Sequence, residues 1–247
     1  MSSFQDIYRK GWQRYLFTWV PVWLVMAAAV LHWGYDGSFL LVNSWRLDWL
    51  DAIMPHFTHV GDGLILFAGV GIWLISQKKT DLWMLLAMVM LSVLLVVFLL
   101  KNAVFHGWFR PSFVFEGRGT AFFMISTRSL SSFSFPSGHA TAAAAACMVA
   151  AMGNERGFWP MGWGVLGILL AYSRVYIGVH FVGDILAGGL LGCGLVLGLY
   201  RWVFPGFRSW TQGWGISEQR LRNILWGISL TLLVIGVLSL YSRYYGI

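Results

Sequence analysis

The sequence predicts an all-α protein, a polytopic bundle of transmembrane helices. Of 247 residues, 58% are hydrophobic and 11% charged, about half the charge of an ordinary soluble domain. Apolar runs of spanning length, roughly 17 to 25 residues, recur along nearly the whole chain. They leave no room between them for a soluble domain, so residues 1–247 read as a single membrane domain.

The polar start, Met1 to Arg14, carries Arg9, Lys10 and Arg14 ahead of a long apolar segment with no small-residue cleavage site behind it. This predicts an uncleaved first span, about Tyr15 to His32, in place of a signal peptide. Asp36 to Gly63 mixes Arg46, Asp48, Asp51 and Asp62 with aromatic residues, the pattern of a loop with an amphipathic helix at the interface. The second span, about Leu64 to Ser76, is short and is expected to extend backwards through Val60 to Gly63 before Lys78 and Lys79 stop it. The third runs from about Leu82 to Leu100 and ends on Lys101. His106 to Ser134 is then a polar loop long enough to rim a binding site.

The fourth span, about His139 to Met152, includes Ala142 to Ala146 unbroken, which lets neighbouring backbones approach closely. The fifth is about Met161 to Ile177. Gly178 offers a break before the sixth, about Phe181 to Val203, where Gly188 with Gly192 and Gly194 with Gly198 repeat a small-xxx-small packing pattern. After a basic connection containing Arg201, Arg208, Arg220 and Arg222, a run over about 224–241 makes a seventh span. Cys147 and Cys193 fall inside spans and read as small packing residues.

Charge orients this threading. With the amino terminus cytoplasmic, Arg9, Lys10, Arg14, Lys78, Lys79, Arg156, Arg201, Arg208, Arg220 and Arg222 all fall inside, as the positive-inside rule requires. The net charge of +7 is therefore explained by a bilayer, and no nucleic-acid partner is expected. The same threading puts Lys101, His139, Arg174 and His180 together on the outer face.

Those residues are the chemically unusual ones. A charged side chain near a bilayer centre costs roughly 2.5 to 3.5 kcal/mol, so such groups lie near an interface or face partners. His180 and Asp184 are four apart, and a helix starting near His180 would put both on one face, with the carboxylate holding one ring nitrogen. Ser137 and Gly138, at the start of the fourth span, could donate to a phosphate oxygen. Arg110 and Arg174 can each grip two oxygens, and Lys101 adds a point charge. Together they form a receptor for a phosphate group that requires no metal.

These residues resemble the type 2 phosphatidic acid phosphatase (PAP2) superfamily. Its third motif, Ser-Arg, five residues, His, three residues, Asp, is complete as Ser173, Arg174, His180 and Asp184. Its second, Pro-Ser-Gly-His, is complete as Pro136 to His139. Its first is usually a lysine, six residues, then Arg-Pro; here eight residues separate Lys101 from Arg110-Pro111. The resemblance implies a six-span core over about 15–204 and a metal-independent lipid phosphate phosphatase without a cofactor. It implies that His180 attacks phosphorus to form a phosphohistidine, with Asp184 fixing its tautomer and His139 acting as acid and base. Lys101, Arg110, Ser137, Gly138 and Arg174 would hold the phosphate.

The implied substrates are lipids with a terminal phosphate or diphosphate, such as undecaprenyl diphosphate, phosphatidylglycerol phosphate, phosphatidate or lipid A. The implied setting is a bacterial cytoplasmic membrane with the site on its periplasmic or extracellular face. A phosphotransferase passing the phosphoryl group to a lipid or sugar would use the same residues. A transporter of this fold would be expected to lack one of the histidines or Asp184, and all three are present. His56, His59 and Asp62 have metal-like spacing without a further obvious ligand, and read as loop packing. Glu116, Arg118 and Arg128, in the long outer loop, could meet a headgroup.

Overall fold

In the computed structural model, residues 8–125, 133–154 and 157–245 are described, and they are helical with no strand among them. Helix α1 spans Arg9–Asn43, α2 Asp48–Val60, α3 Gly63–Ser76, α4 Thr80–Leu99 and α5 Pro111–Glu116. Then come α6 Gly138–Gly153, α7 Trp159–Tyr176, α8 Val182–Gly198, α9 Phe204–Gln212 and α10 Glu218–Tyr245. π-helical turns close α4 over Leu100–Val104 and join α8 to α9 over Leu199–Val203.

The alanine-rich helix α6 is the axis of the bundle. Ala140 to Met152 are all buried, and α1, α3, α4, α7 and α8 pack around them. Small residues make that approach possible. A Cβ at Gly192 would lie 2.4 Å from the Thr141 carbonyl oxygen, one at Gly188 2.8 Å from that of Ser137, and one at Gly11 2.5 Å from that of Ala151. The second glycine pair of α8 behaves differently from the expected packing role: among the described residues a Cβ at Gly194 would meet nothing within 4 Å, and one at Gly198 only Trp202 of its own helical run. Their face of α8 points away from α6.

Three expected boundaries move. The first helix continues past His32 to Asn43, because Gly34 absorbs a kink (φ 72°, ψ −179°) and helix resumes beyond it. Asp36 therefore sits on a helix, paired with Arg118 at 2.5 Å. The second span does not extend back through Val60 to Gly63. Gly61 and Asp62 bend the chain by 72° there, and the Asp62 carboxylate caps α3 by accepting the Leu64 N–H at 3.1 Å. The sixth helical run continues through the π turn to Gln212, so Arg201 and Arg208 lie on helix where a connection was expected.

Among the described residues four helices are long and apolar enough to span, or five counting the bent α2–α3 pair. The six-plus-one count thus depends on α6 and α7 also crossing. Helix α6 has only 16 residues, but it is enclosed by protein and need not match the lipid thickness.

The two ends of the bundle differ in chemistry. At one, Arg208 pairs with Asp81 at 2.8 Å, Lys79 lies over the Tyr8 ring, and Arg14 donates to the Gly157 carbonyl. At the other, buried Asn43 closes α1 onto the α7 end. Its amide donates to the Phe123, Val175 and Tyr176 carbonyls at 3.1, 3.0 and 3.2 Å, and its oxygen accepts the Phe123 N–H at 2.9 Å.

The glycine geometry yields a paired expectation. Gly192→Ala forces apart α6 and α8 and should cost about 1–3 kcal/mol, read as a lowered unfolding midpoint in detergent, whereas Gly194→Ala should leave the midpoint unchanged. Equal midpoints for the two variants would contradict the packing of α8 described here.

Candidate active site

The α7–α8 junction builds the centre of the site. Helix α7 ends at Tyr176, and Gly178 turns the chain at φ +81°, a left-handed conformation that side-chain-bearing residues rarely hold. A Cβ there would also lie 2.5 Å from the Phe123 carbonyl oxygen. The Arg174 carbonyl then accepts the N–H groups of Val179 and His180 at 3.1 and 3.2 Å, which fixes His180 just ahead of α8.

His180 and Asp184 do meet, but not as two residues on one helical face. Helix α8 begins at Val182, so His180 precedes it, and Asp184 reaches back from the first turn as a capping residue. Its Oδ2 accepts the Phe181 N–H at 3.0 Å and lies 3.0 Å from His180 Nδ1. Ser134 Oγ donates to the same oxygen, and the Tyr35 hydroxyl donates to Oδ1. Asp184 has no exposed surface and His180 only 2%.

This arrangement selects a tautomer. With Nδ1 against a carboxylate the ring proton belongs there, leaving the Nε2 lone pair outward, where Arg110 Nη1 approaches to 3.2 Å. The same Nη1 donates to the Val179 carbonyl at 2.9 Å. Burial, then the Arg110, Arg174 and Lys101 cations, hold the His180 imidazole well below its ordinary range. The ring is neutral at physiological pH.

Each cation is delivered by a local device. Arg110 caps the short helix α5, with Pro111 at its first position. Lys101 lies on the π turn that ends α4, and its Nζ donates to the Phe133 carbonyl at 2.5 Å. A π turn holds an extra residue, which takes up part of the eight-residue spacing between Lys101 and Arg110. Arg174 is buried, with Nη1 donating to Thr58 Oγ1 at 2.7 Å, while its buried Nε has no hydrogen-bond partner among the described residues. Ser173 braces that contact, its hydroxyl 3.0 Å from Thr58 Oγ1 and 2.7 Å from the Leu170 carbonyl.

The Pro136 to His139 turn starts α6 beside this group. Ser137 is the N-cap, its Oγ accepting the Ala140 N–H at 3.4 Å, so its hydroxyl proton remains to donate elsewhere. Its own N–H donates to the Asp184 carbonyl oxygen at 3.1 Å, which ties the starts of α6 and α8 together. His139, half-buried, lies against the α2–α3 bend, where a Cβ at Gly61 would sit 3.7 Å from its Cδ2.

The structure adds Tyr35, Ser134 and Thr58, which no motif marks. Glu116 ends α5, Arg118 just beyond it pairs with Asp36, and Arg128 lies outside the described residues. Asp62 serves as a helix cap, and among the described residues no three His, Cys, Asp or Glu side chains converge as metal ligands.

Cations around a neutral buried imidazole, at one end of an apolar helical bundle, define an integral membrane protein suited to an anionic group. Residues 81–208, over half of the chain, match the family model described as the PAP2 superfamily, and the chain belongs to that superfamily. It is similar to phosphatidylglycerophosphatase B of Bacillus subtilis (strain 168), 32% identical over 60% of this chain and 72% of that protein. Undecaprenyl-diphosphatase of Sulfolobus acidocaldarius is 23% identical over 72% of this chain and 82% of that protein. Solved structures of similar fold include LpxE from Aquifex aeolicus (TM-score 0.53, 26% identity, covering 64% of this chain and 90% of that one). Another is the transmembrane PAP2-type phosphatidylglycerolphosphate phosphatase from Bacillus subtilis (TM-score 0.51, 27% identity, covering 79% and 96%). The family and these relatives make the chain a membrane phosphatase of the PAP2 type.

The electrostatics give a spectroscopic expectation. In substrate-free enzyme the His180 ring nitrogens should still show the shifts of a neutral imidazole where an ordinary histidine is half protonated, because a depressed value means protonation only at lower pH. Removing one cation with Arg110→Gln should move that titration upward. A midpoint near the ordinary value of about 6.5 in the unaltered protein would contradict the buried, cation-ringed geometry.

Proposed function

We propose that the chain hydrolyses the terminal phosphate or diphosphate of a membrane lipid through a phosphohistidine on His180. The observation that carries this reading is the orientation of His180: Nδ1 is held by Asp184, and Nε2 presents its lone pair beside Arg110.

In the first step Nε2 attacks phosphorus. The N–P bond forms as the bond from the terminal phosphorus to the leaving oxygen breaks, that oxygen being the lipid's own in a monophosphate and the bridging one in a diphosphate, and His139 gives it a proton. Asp184 steadies the positive charge that develops on the ring. In the second step His139 takes a proton from water, the water oxygen bonds to phosphorus, and the N–P electron pair returns to Nε2. Inorganic phosphate leaves. Lys101, Arg110, Arg174, Ser137 and the Gly138 end of α6 hold the phosphoryl oxygens, where losing one such donor typically costs on the order of 100- to 1000-fold.

A lipid substrate is supported by what lies beside the phosphate receptor. A groove of about 460 Å³ between the α4 end and α8 is lined by apolar residues, among them Leu100, Phe135, Pro136, Leu190 and Leu191. Leu100 adjoins Lys101 and Pro136 adjoins Ser137, so a hydrocarbon chain in the groove would leave its phosphate at the cations. The names of the relatives point to phosphatidylglycerol phosphate and undecaprenyl diphosphate as the first substrates to try. The positive-inside count supports a site on the face outside the cytoplasm.

The two histidines should separate under an activated leaving group. His180→Ala abolishes turnover of lipid and aryl phosphates alike, because no N–P bond can form. His139→Ala loses about 100- to 10,000-fold on the lipid but regains the first step on an aryl phosphate, accumulating an acid-labile phosphoprotein. Rescue of His180→Ala and not His139→Ala would reverse the assignment.

Turnover should also persist in EDTA, because the scheme meets phosphate charge with Lys101, Arg110 and Arg174. Loss in EDTA with recovery in Mg2+ would refute that part. For topology, a cysteine at Gly107 should react with an impermeant reagent applied from outside; labelling only from the cytoplasmic side would refute the assigned face.

A further inference from the structure

We infer that Tyr35 is a positioning residue for the candidate nucleophile: it fixes the Asp184 carboxylate so that the other carboxylate oxygen faces His180. The inference rests on the PAP2-type reading of the site given above.

The carboxylate is satisfied unevenly. Oδ2 receives the Phe181 N–H, the Ser134 hydroxyl and the His180 ring, whereas among the described residues the hydrogen bond on Oδ1 is that of the Tyr35 hydroxyl. Taking that hydroxyl away removes the donor that opposes rotation of the carboxylate about its terminal bond. A buried acceptor left unpaired would turn toward other donors, and the plane seen by His180 Nδ1 would no longer be fixed.

Two glycines are shaped around this one phenol. Gly34, directly before Tyr35, holds φ 72° and ψ −179° inside α1, a region essentially closed to residues with a Cβ. The kink re-aims the helix at the residue that follows it. Gly183, directly before Asp184, would bring a Cβ to 2.2 Å from Tyr35 Cε2 and 2.9 Å from Cδ2, so only glycine lets the ring lie there. Aromatic neighbours then hold the ring, with Phe181 at 4.7 Å and Trp108 at 5.7 Å between centroids. The Trp108 carbonyl also accepts the Ser134 N–H at 3.0 Å, so one residue braces both hydroxyls that reach Asp184. The hydrogen bonds that hold the carboxylate come from Phe181, Ser134 and Tyr35, and not from the phosphate-holding cations Lys101, Arg110 and Arg174.

The defect should therefore fall on the chemical step and not on binding. Outer partners that orient metal-ligating histidines typically account for about 10- to 100-fold in activity, and the same order is expected for a group that orients a nucleophilic histidine through its carboxylate. The test measures phosphate release from phosphatidylglycerol phosphate and from p-nitrophenyl phosphate by the full chain in detergent, with trapped phosphoenzyme counting the folded sites. Per folded site, Tyr35→Phe should lose about 10- to 100-fold in kcat, with the same loss in the rate of phosphoenzyme formation and KM within about twofold. Gly183→Ala should reproduce that loss by displacing the ring. In a Tyr35→Ala background, where no ring remains to displace, Gly183→Ala should add nothing.

Wild-type kcat per site in Tyr35→Phe, a loss confined to KM, or an undiminished Gly183→Ala effect in the Tyr35→Ala background would each overturn the inference. Its failure is separable from that of the underlying reading. If Asp184→Asn is fully active, or the wild type releases no phosphate from either substrate, the assigned chemistry itself is wrong.

Discussion

The structure depends on the burial of one carboxylate. Asp184 has no exposed surface within an apolar bundle, and an ion taken out of water carries a penalty of several kcal/mol unless hydrogen bonds and charge offset it. The donors that offset it come from separate parts of the chain: Tyr35 from α1, Ser134 from the segment before α6, the Phe181 amide from the start of α8, and the His180 ring. Satisfying Asp184 therefore requires α1, the α6 start and the α7–α8 junction to converge at one end of the bundle. The convergence that makes the ion tolerable also sets the orientation of His180.

Packing at the bundle axis serves the same end. Gly188 and Gly192 let α8 lie on α6 closely enough that the Ser137 N–H reaches the Asp184 carbonyl at 3.1 Å. The two motif segments are joined by backbone as well as by side chains. A change that separated α6 from α8 would move the helix end that carries Ser137 and His139 away from the turn that carries His180. Asn43 plays the matching part for the Arg174 to His180 turn, because it holds the Val175 and Tyr176 carbonyls from α1.

Much of this could be read from sequence, and the boundary of what could is physical. Apolar length located most helices, because the bilayer demands it, and the motif residues stood out as ionisable groups where such groups are costly. Helix ends were less legible. Asp36 looked like the opening of a loop, yet Gly34 kinks α1 and the helix resumes; Asp62 looked like part of an extended span, yet it caps a new helix. Tyr35 was invisible, since its partner lies 149 residues away and a single tyrosine in an aromatic-rich span carries no local mark. Gly183 sat inside the third motif, but only the approach of the Tyr35 ring gives it a reason. Conversely, Gly194 and Gly198 had the spacing of a packing motif and met no neighbouring helix, because spacing selects a face without saying what covers it.

The charges of the candidate site do not favour the stability of the ligand-free protein. Arg110, Arg174 and Lys101 all act on His180 in the same unfavourable sense, and the Arg174 Nε is buried without a partner among the described residues. Such a cluster raises the energy of the ligand-free protein, and under the proposed function an anionic phosphoryl group would relieve the repulsion by taking the open donors. On the proposed chemistry this has a consequence for reactivity. Arg110 Nη1 now approaches the Nε2 lone pair that would attack phosphorus, so it must turn away before the bond can form. Phosphoryl oxygens, as stronger acceptors than a neutral imidazole, are the natural competitor for that N–H. Binding of the correct anion would thus free the nucleophile, while water, which offers no comparable charge, would leave it covered.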